Sequence, residues 1–174
     1  MDGITIWAEA ESELNSRSRA KSKATDKSVR SARALTSKQL GEIAEAEFVA
    51  KAVGMGFVVA KPWGDSEPYD FIVNTRHEFN FWRVQVKSAH VAGEDGTYSF
   101  RAHDHAQRSY SAKDIDALVA YAKPAEAWYV MPVRVVEGLK SLKLYPGSLR
   151  KRSKYERWRE AWEVLRRAVR RARK

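Results

Sequence analysis

Two short runs decide the reading of this chain: Pro68-Tyr69-Asp70-Phe71-Ile72-Val73 and Trp82-Arg83-Val84-Gln85-Val86-Lys87. Both are rich in β-branched and aromatic residues, and Thr75 to Asn80 between them can close an antiparallel hairpin. Alternation along the second run sets Arg83, Gln85 and Lys87 on one face and Trp82, Val84 and Val86 on the other. With Asp70 opening the first strand, an acid, an amide and an ammonium can converge at one end of a two-stranded unit. Phosphodiester hydrolysis asks for such a set: hard oxygen ligands for Mg2+, and a cation that orients the attacking water and offsets developing charge. On this reading Asp70 holds the metal, Gln85 offers a neutral carbonyl oxygen and Lys87 serves the nucleophile. A further anion is then needed nearby.

The segment upstream can supply it. Thr36 or Ser37 is an N-cap, Lys38 to Val53 reads as a helix, and Gly54 and Gly56 stop it. Its apolar set is Leu40, Ile43, Ala44, Phe48, Val49, Ala52 and Val53. At about 100° per residue Glu45 falls beside Phe48, Val49 and Ala52, which aims its carboxylate toward the sheet. Glu42, one turn earlier near the rim of that face, is the alternative acid. Glu47 projects toward Lys51, where an i,i+4 ion pair on a solvated surface is expected.

Further strands are expected at Phe57 to Ala60, Tyr69 to Asn74, Phe81 to Lys87, Thr97 to Ala102, Trp128 to Val136 and Leu142 to Tyr145. Asp114 to Tyr121 (DIDALVAY) fits a short helix or a strand, and periodicity does not choose between them. The order predicts a mixed α/β domain. Lys154 to Lys174 predicts an amphipathic helix, with Tyr155, Trp158, Trp162, Leu165 and Val169 at steps of 3 and 4 on one stripe. That stripe reads first as docking onto the chain's own core, second as a helix pair in a dimer, third as a membrane-surface helix. The layout is then a basic flexible arm at 1–37, a catalytic core at 38–149 and a basic amphipathic helix at 150–174.

The 174 residues include no cysteine, so disulfides and thiolate metal sites are excluded and any metal takes oxygen or imidazole ligands. The net charge of +10 is unevenly distributed. Residues 1–38 hold eight basic against five acidic side chains, residues 39–149 twelve against fourteen, and residues 150–174 twelve against three. Clustered positive charge at both ends points to a polyanion, since each neutralised phosphate releases counterions. Arg157, Arg166, Arg167, Arg170 and Arg173 are the phosphate-contact candidates. The start of the chain lacks a signal-peptide pattern and the longest apolar stretch, Ala52 to Ala60, is too short to span a bilayer, so a soluble cytoplasmic protein with no membrane partner is expected.

Taken in order, Gly41-x-x-x-Glu45, Gly64-Asp65, Pro68-Tyr69-Asp70 and Gln85-Val86-Lys87 resemble the PD-(D/E)XK nuclease superfamily. The resemblance is greatest to its branch with Gln in place of the third acid, which includes group I intron homing endonucleases; archaeal Holliday-junction resolvases are more distant. It covers roughly Lys38 to Val133, since Asp114-Ile115-Asp116 and Trp128-Tyr129-Val130-Met131-Pro132-Val133 also look like that branch. It implies a restriction-endonuclease-like α/β core with a mixed central sheet flanked by helices. It implies Glu45 and Asp70 as metal-linked acids, Gln85 as a metal-shell amide and Lys87 as the catalytic lysine. Mg2+, with Mn2+ able to substitute, is the expected cofactor, and DNA the expected substrate. Cutting both strands of a duplex with one site per chain calls for a homo-oligomer, a dimer or tetramer.

Other features read more plainly. His77, His90, His103 and His105 have no clear metal-ligand spacing, and Ser109, Tyr110 and Ser111 have no base at motif distance. Trp63, between Pro62 and Gly64, reads as a turn anchor ahead of a side chain that stacks near DNA. Asp114 and Asp116 read as caps or hydrogen-bond acceptors. The alternative function is a non-catalytic nucleic-acid-binding protein on the same fold; a structural protein assembling through its aromatic tail stripe is a third.

Overall fold

The computed structural model describes residues 34–75, 80–104, 106–147 and 154–167. Contacts divide the chain into two units, Met1–Thr36 and Ser37–Lys174, and every described helix and strand belongs to the second. The basic arm at 1–37 lies almost wholly outside the described residues, as do His77, His105, Val169, Arg170 and Arg173.

Helix α1 (Ser37–Gly54) is followed by strands β1 (Phe57–Ala60), β2 (Phe71–Thr75), β3 (Phe81–Ala89), β4 (Tyr98–Arg101), β5 (Ala117–Ala122), β6 (Ala127–Pro132), the single turn α2 (Val133–Val136) and β7 (Ser141–Leu144). A five-stranded sheet runs in the order β1-β2-β3-β5-β6, and β4 pairs with β7 in a second sheet. β1, β2 and β3 are antiparallel, β3 and β5 are parallel, and β5 and β6 are antiparallel, so the sheet is mixed as expected. The β2–β3 register sets Phe71 opposite Val84 and Val73 opposite Trp82.

Period-2 alternation on β3 separates two cores. Trp82, Val84 and Val86 join Phe71, Val73, Val119 and Trp128 in a cluster that buries α1 through Ala44, Phe48 and Ala52. Phe48 is fully buried and its ring centroid lies 5.2 Å from that of Phe71. The stripe on α1 is narrower than its sequence suggests, with Ile43 and Val53 exposed and Ala44, Phe48 and Ala52 buried. On the opposite face Leu118, Ala120, Tyr129 and Met131 pack with Tyr98, Phe100, Leu142 and Leu144 of the small sheet. No helix among the described residues is long and apolar enough to cross a membrane.

DIDALVAY resolves as a turn at 114–116 followed by a strand from Ala117. Asp116 at its entrance accepts from Arg83 on three atoms: the backbone N at 2.9 Å, Nε at 3.1 Å and Nη2 at 3.0 Å. Arg83 also reaches the carbonyls of Ala112 and Lys113, so it staples β3 to the loop that feeds β5. Asp114 accepts from the backbone N and hydroxyl of Ser111, and both aspartates therefore have the hydrogen-bonding role read for them. Asp116 is buried, so removing the guanidinium takes away two of its hydrogen bonds and the cation paired with it. Arg83→Ala is expected to cost about 3 kcal/mol of stability, measurable as a lowered urea midpoint.

Residues 154–167 do not form the predicted α-helix. They make two 3-10 turns, Glu156–Trp158 and Trp162–Arg166. Between them Arg159 is extended and Glu160 has φ of 47°. Short turn bonds within the segment are joined by bonds to the edge strand: Arg159 bridges Tyr129, and the Glu160 N–H donates to the Trp128 carbonyl at 2.8 Å. The stripe docks on the chain's own core as expected, with Tyr155, Trp162 and Leu165 buried. The expectation of an i,i+4 pair on α1 is also corrected. Glu47 pairs with Lys123 beyond β5, and Lys51 pairs with Glu160 at 3.3 Å.

Candidate active site

Asp70 sits one residue before β2, where its N–H continues the ladder by donating to the Val84 carbonyl at 2.9 Å. That position turns its side chain along β3. Its Oδ2 accepts from the Val86 backbone N–H at 2.7 Å and from Gln85 Nε2 at 2.6 Å. Gln85 is buried and donates a second, longer bond to the Val86 carbonyl at 3.2 Å. The amide thus acts as an orienting donor to Asp70, a role its sequence position did not suggest, and its carbonyl oxygen is the atom that could serve a metal.

Burial, with added repulsion from Glu45, raises the Asp70 pKa against the lowering effect of these donors and of Lys87. Lys87 lies on the same face of β3 and is shifted the other way, lowered mainly by burial and partly offset by attraction to Asp70 and Glu45. Its ammonium stands 5.8 Å from the Tyr110 ring centroid. Burial, with smaller contributions from Asp70 and Asp104, holds the Tyr110 hydroxyl un-ionised across the ordinary range. The charged candidates therefore fall within electrostatic reach of one another, Glu45 from α1, Asp70 from the entrance to β2 and Lys87 from β3, with Gln85 of β3 hydrogen-bonded to Asp70.

Glu45 and Glu42 are now distinguishable. Glu45 is partly buried and acts on both Asp70 and Lys87. Glu42 is more exposed and sits 4.0 Å from Lys38. Both line a shallow depression of about 220 Å³ with Ala46, Val49, Lys61 and Phe71. Lys61 is the residue that sequence reasoning missed. One step beyond the Ala60–Ile72 pair of β1 and β2, its ammonium lies 2.7 Å from Glu45 Oε2. Nothing in the sequence distinguishes it from any other turn lysine; only the packing of α1 over β1 brings it to the acid.

Trp63 is corrected as well. Its side chain is 101% exposed, so it anchors nothing in the Pro62–Pro68 turn. Arg166 donates to the Met55 carbonyl at 2.8 Å and lies 4.7 Å from the Phe57 ring, which ties it to the fold. Arg157 stacks on Trp158 and is exposed. His103 Nδ1 lies 2.8 Å from the carbonyl of Asp104, and His90 Nε2 is 3.0 Å from the Ser88 hydroxyl.

Among the described residues no three His, Cys, Asp or Glu side chains cluster as a metal site. The fit to a metal must therefore be judged on two carboxylates and neutral oxygens. An Asp70 whose ionised form is held against burial and a neighbouring acid gains from a cation. An all-oxygen donor set suits a hard divalent ion, and such ions commonly keep several waters beside one or two carboxylates. The residues fit.

A family model described as PD-(D/E)XK endonuclease matches residues 35–165. Ten chains of solved structures match significantly. Among them is the bacterial homing endonuclease I-Ssp6803I, with 30% sequence identity and a TM-score of 0.65, the alignment covering 75% of this chain and 91% of that one. No curated protein matches significantly.

Proposed function

The chain belongs to the PD-(D/E)XK endonuclease family, and from that premise we propose that it is a Mg2+-dependent endonuclease that hydrolyses DNA phosphodiester bonds. The observation that carries the reading is Asp70 held by the Gln85 amide and the Val86 N–H, with Lys87 two residues along the same face of β3 and Glu45 of α1 close enough to act on both charges. Asp70, Glu45 and the Gln85 carbonyl oxygen would hold the ion, with Mn2+ able to replace Mg2+. When bound, it supplies Lewis acidity toward the scissile phosphate and the attacking water.

The chain's own residues do the rest. The Val86 N–H and the Gln85 amide fix one oxygen of Asp70, so its orientation is set before substrate arrives. Lys87, two residues beyond Gln85 on the same face of β3, would place a positive charge beside the attacking water and the phosphate oxygens. Its half-desolvated ammonium acts at a lower local dielectric than a surface lysine, which strengthens that interaction. Affinity for DNA would come from the basic ends, since residues 39–149 carry slightly more acid than base. Cleavage of both strands would call for a second copy of the site, hence a homo-oligomer.

The test is nicking of supercoiled plasmid with Mg2+, with Mn2+ and with chelator. Metal-dependent cutting by the parent, lost in Lys87→Ala, supports the proposal; equal cutting in chelator, or undiminished cutting by Lys87→Ala, sinks it. The same assay ranks the helix acids: Glu45→Gln is expected to cut at least about 100-fold more slowly and Glu42→Gln at nearly the parent rate. Trp63 lies two residues from Lys61 and is open to a base or sugar. Trp63→Ala is expected to weaken duplex binding by about 1–3 kcal/mol in Ca2+, read by anisotropy, with an unchanged melting temperature.

A further inference from the structure

Glu45 and Asp70 each have one carboxylate oxygen engaged, but by different kinds of partner. Asp70 Oδ2 is bonded by neutral N–H groups, with no cation hydrogen-bonded to it among the described residues. Glu45 Oε2 is bonded by the Lys61 ammonium at 2.7 Å. Lys61 is placed there by geometry: β1 ends at Ala60, Pro62 follows, and the ammonium stands over the Phe71 ring, 5.8 Å from its centroid. Its side chain is still 58% exposed, so the head group can leave without disturbing the core. Asp70 and Asp65 also act on it, which makes Lys61 the cation that three carboxylates share.

We propose that Lys61 is a resident counter-ion for Glu45, which a divalent cation must displace in order to bind. The inference rests on the nuclease reading of the site. A metal at its usual distance of about 2.1 Å from a Glu45 oxygen would stand within roughly 5 Å of an ammonium bonded to the same carboxylate. Two cations that close repel, and the flexible, exposed lysine is the one that can move. Before metal arrives, Lys61 keeps two neighbouring carboxylates from repelling each other. Once displaced, its head group stands free at the rim of the Glu45 depression, within reach of a backbone phosphate.

The experiment is calorimetric titration of the full chain with MnCl2 at pH 7.5 without DNA, on the parent, Lys61→Met, Lys61→Arg and the double variant Lys61→Met, Glu45→Gln. Lys61→Met is expected to bind Mn2+ about three- to tenfold more tightly, Lys61→Arg to stay near the parent, and the double variant to lose the gain. Parent binding with equal or weaker binding by Lys61→Met overturns the counter-ion role and leaves the nuclease reading standing. Absence of Mn2+ binding by both, together with no metal-dependent nicking, overturns both.

Discussion

Asp70→Asn is expected to slow DNA cleavage by on the order of 10³-fold and to leave the fold as stable as the parent or more so. The loss follows from removing the charge that would hold the metal. The gain follows from the direction of the Asp70 shift. Its pKa is raised in the folded chain, chiefly by burial, so the folded state holds its proton to higher pH than the unfolded state does. Such a group contributes stability below the unfolded pKa and loses that contribution as pH rises through the folded one. At neutral pH the ionised carboxylate is therefore a cost to the fold, one that an asparagine does not carry. Asparagine also keeps a carbonyl oxygen to accept from the Val86 N–H and the Gln85 amide. Calorimetry at pH 7.5 checks the sign: a melting temperature clearly below the parent's would refute it.

The same shifts shape the pH profile. Raised Asp70 moves the acid limb of the cleavage rate to higher pH than an ordinary aspartate gives, and lowered Lys87 moves the alkaline limb below that of an ordinary lysine. The two limbs approach each other, so the plateau is narrower than for an exposed Asp and Lys. Lys87→Arg keeps its charge to much higher pH, and is expected to abolish the alkaline limb in whatever activity remains.

Why some of this was legible in sequence and some was not comes down to the kind of interaction involved. β3 could be read because its two faces meet different surroundings, apolar under α1 and polar at the site, and period 2 records that difference. β5 could not, because it is buried on both faces and pairs in parallel with β3, which erases alternation. The site acids on β2 and α1 were visible because local geometry aims them. Lys61 and the Glu47–Lys123 pair depend on packing between elements far apart in sequence, for which no local pattern exists. The last segment misled for a related reason. Its 3-4 spacing is that of a helix, but tertiary hydrogen bonds to β6 outcompete an isolated helix of that length.

That segment sets the second large effect: deleting residues 154–174 is expected to unfold the domain, where an assembly helix would have been dispensable to it. Trp162 lies between Phe48, at 6.0 Å, and Trp128, at 5.8 Å between ring centroids, and Leu165 beside it is fully buried. The Arg167 carbonyl accepts from Trp82 Nε1 at 3.1 Å and from the Asn80 amide, so the segment also caps the β3 end of the hairpin. Trp162→Ala alone should cost about 3–5 kcal/mol, a large part of the roughly 5–15 kcal/mol that typical domains possess. The α1 side of the sheet would be left with an open wall, and Phe48 of α1, the helix that carries Glu45, would lose one of its three ring neighbours. Cleavage should therefore fall in Trp162→Ala through a shifted Glu45 at temperatures where the variant is still folded, while Arg157→Ala on the exposed side of the same segment stays within about 0.5 kcal/mol of the parent. Urea denaturation followed by far-UV circular dichroism measures all three, and a truncated chain that melts cooperatively near the parent temperature would show that the segment is not part of the core.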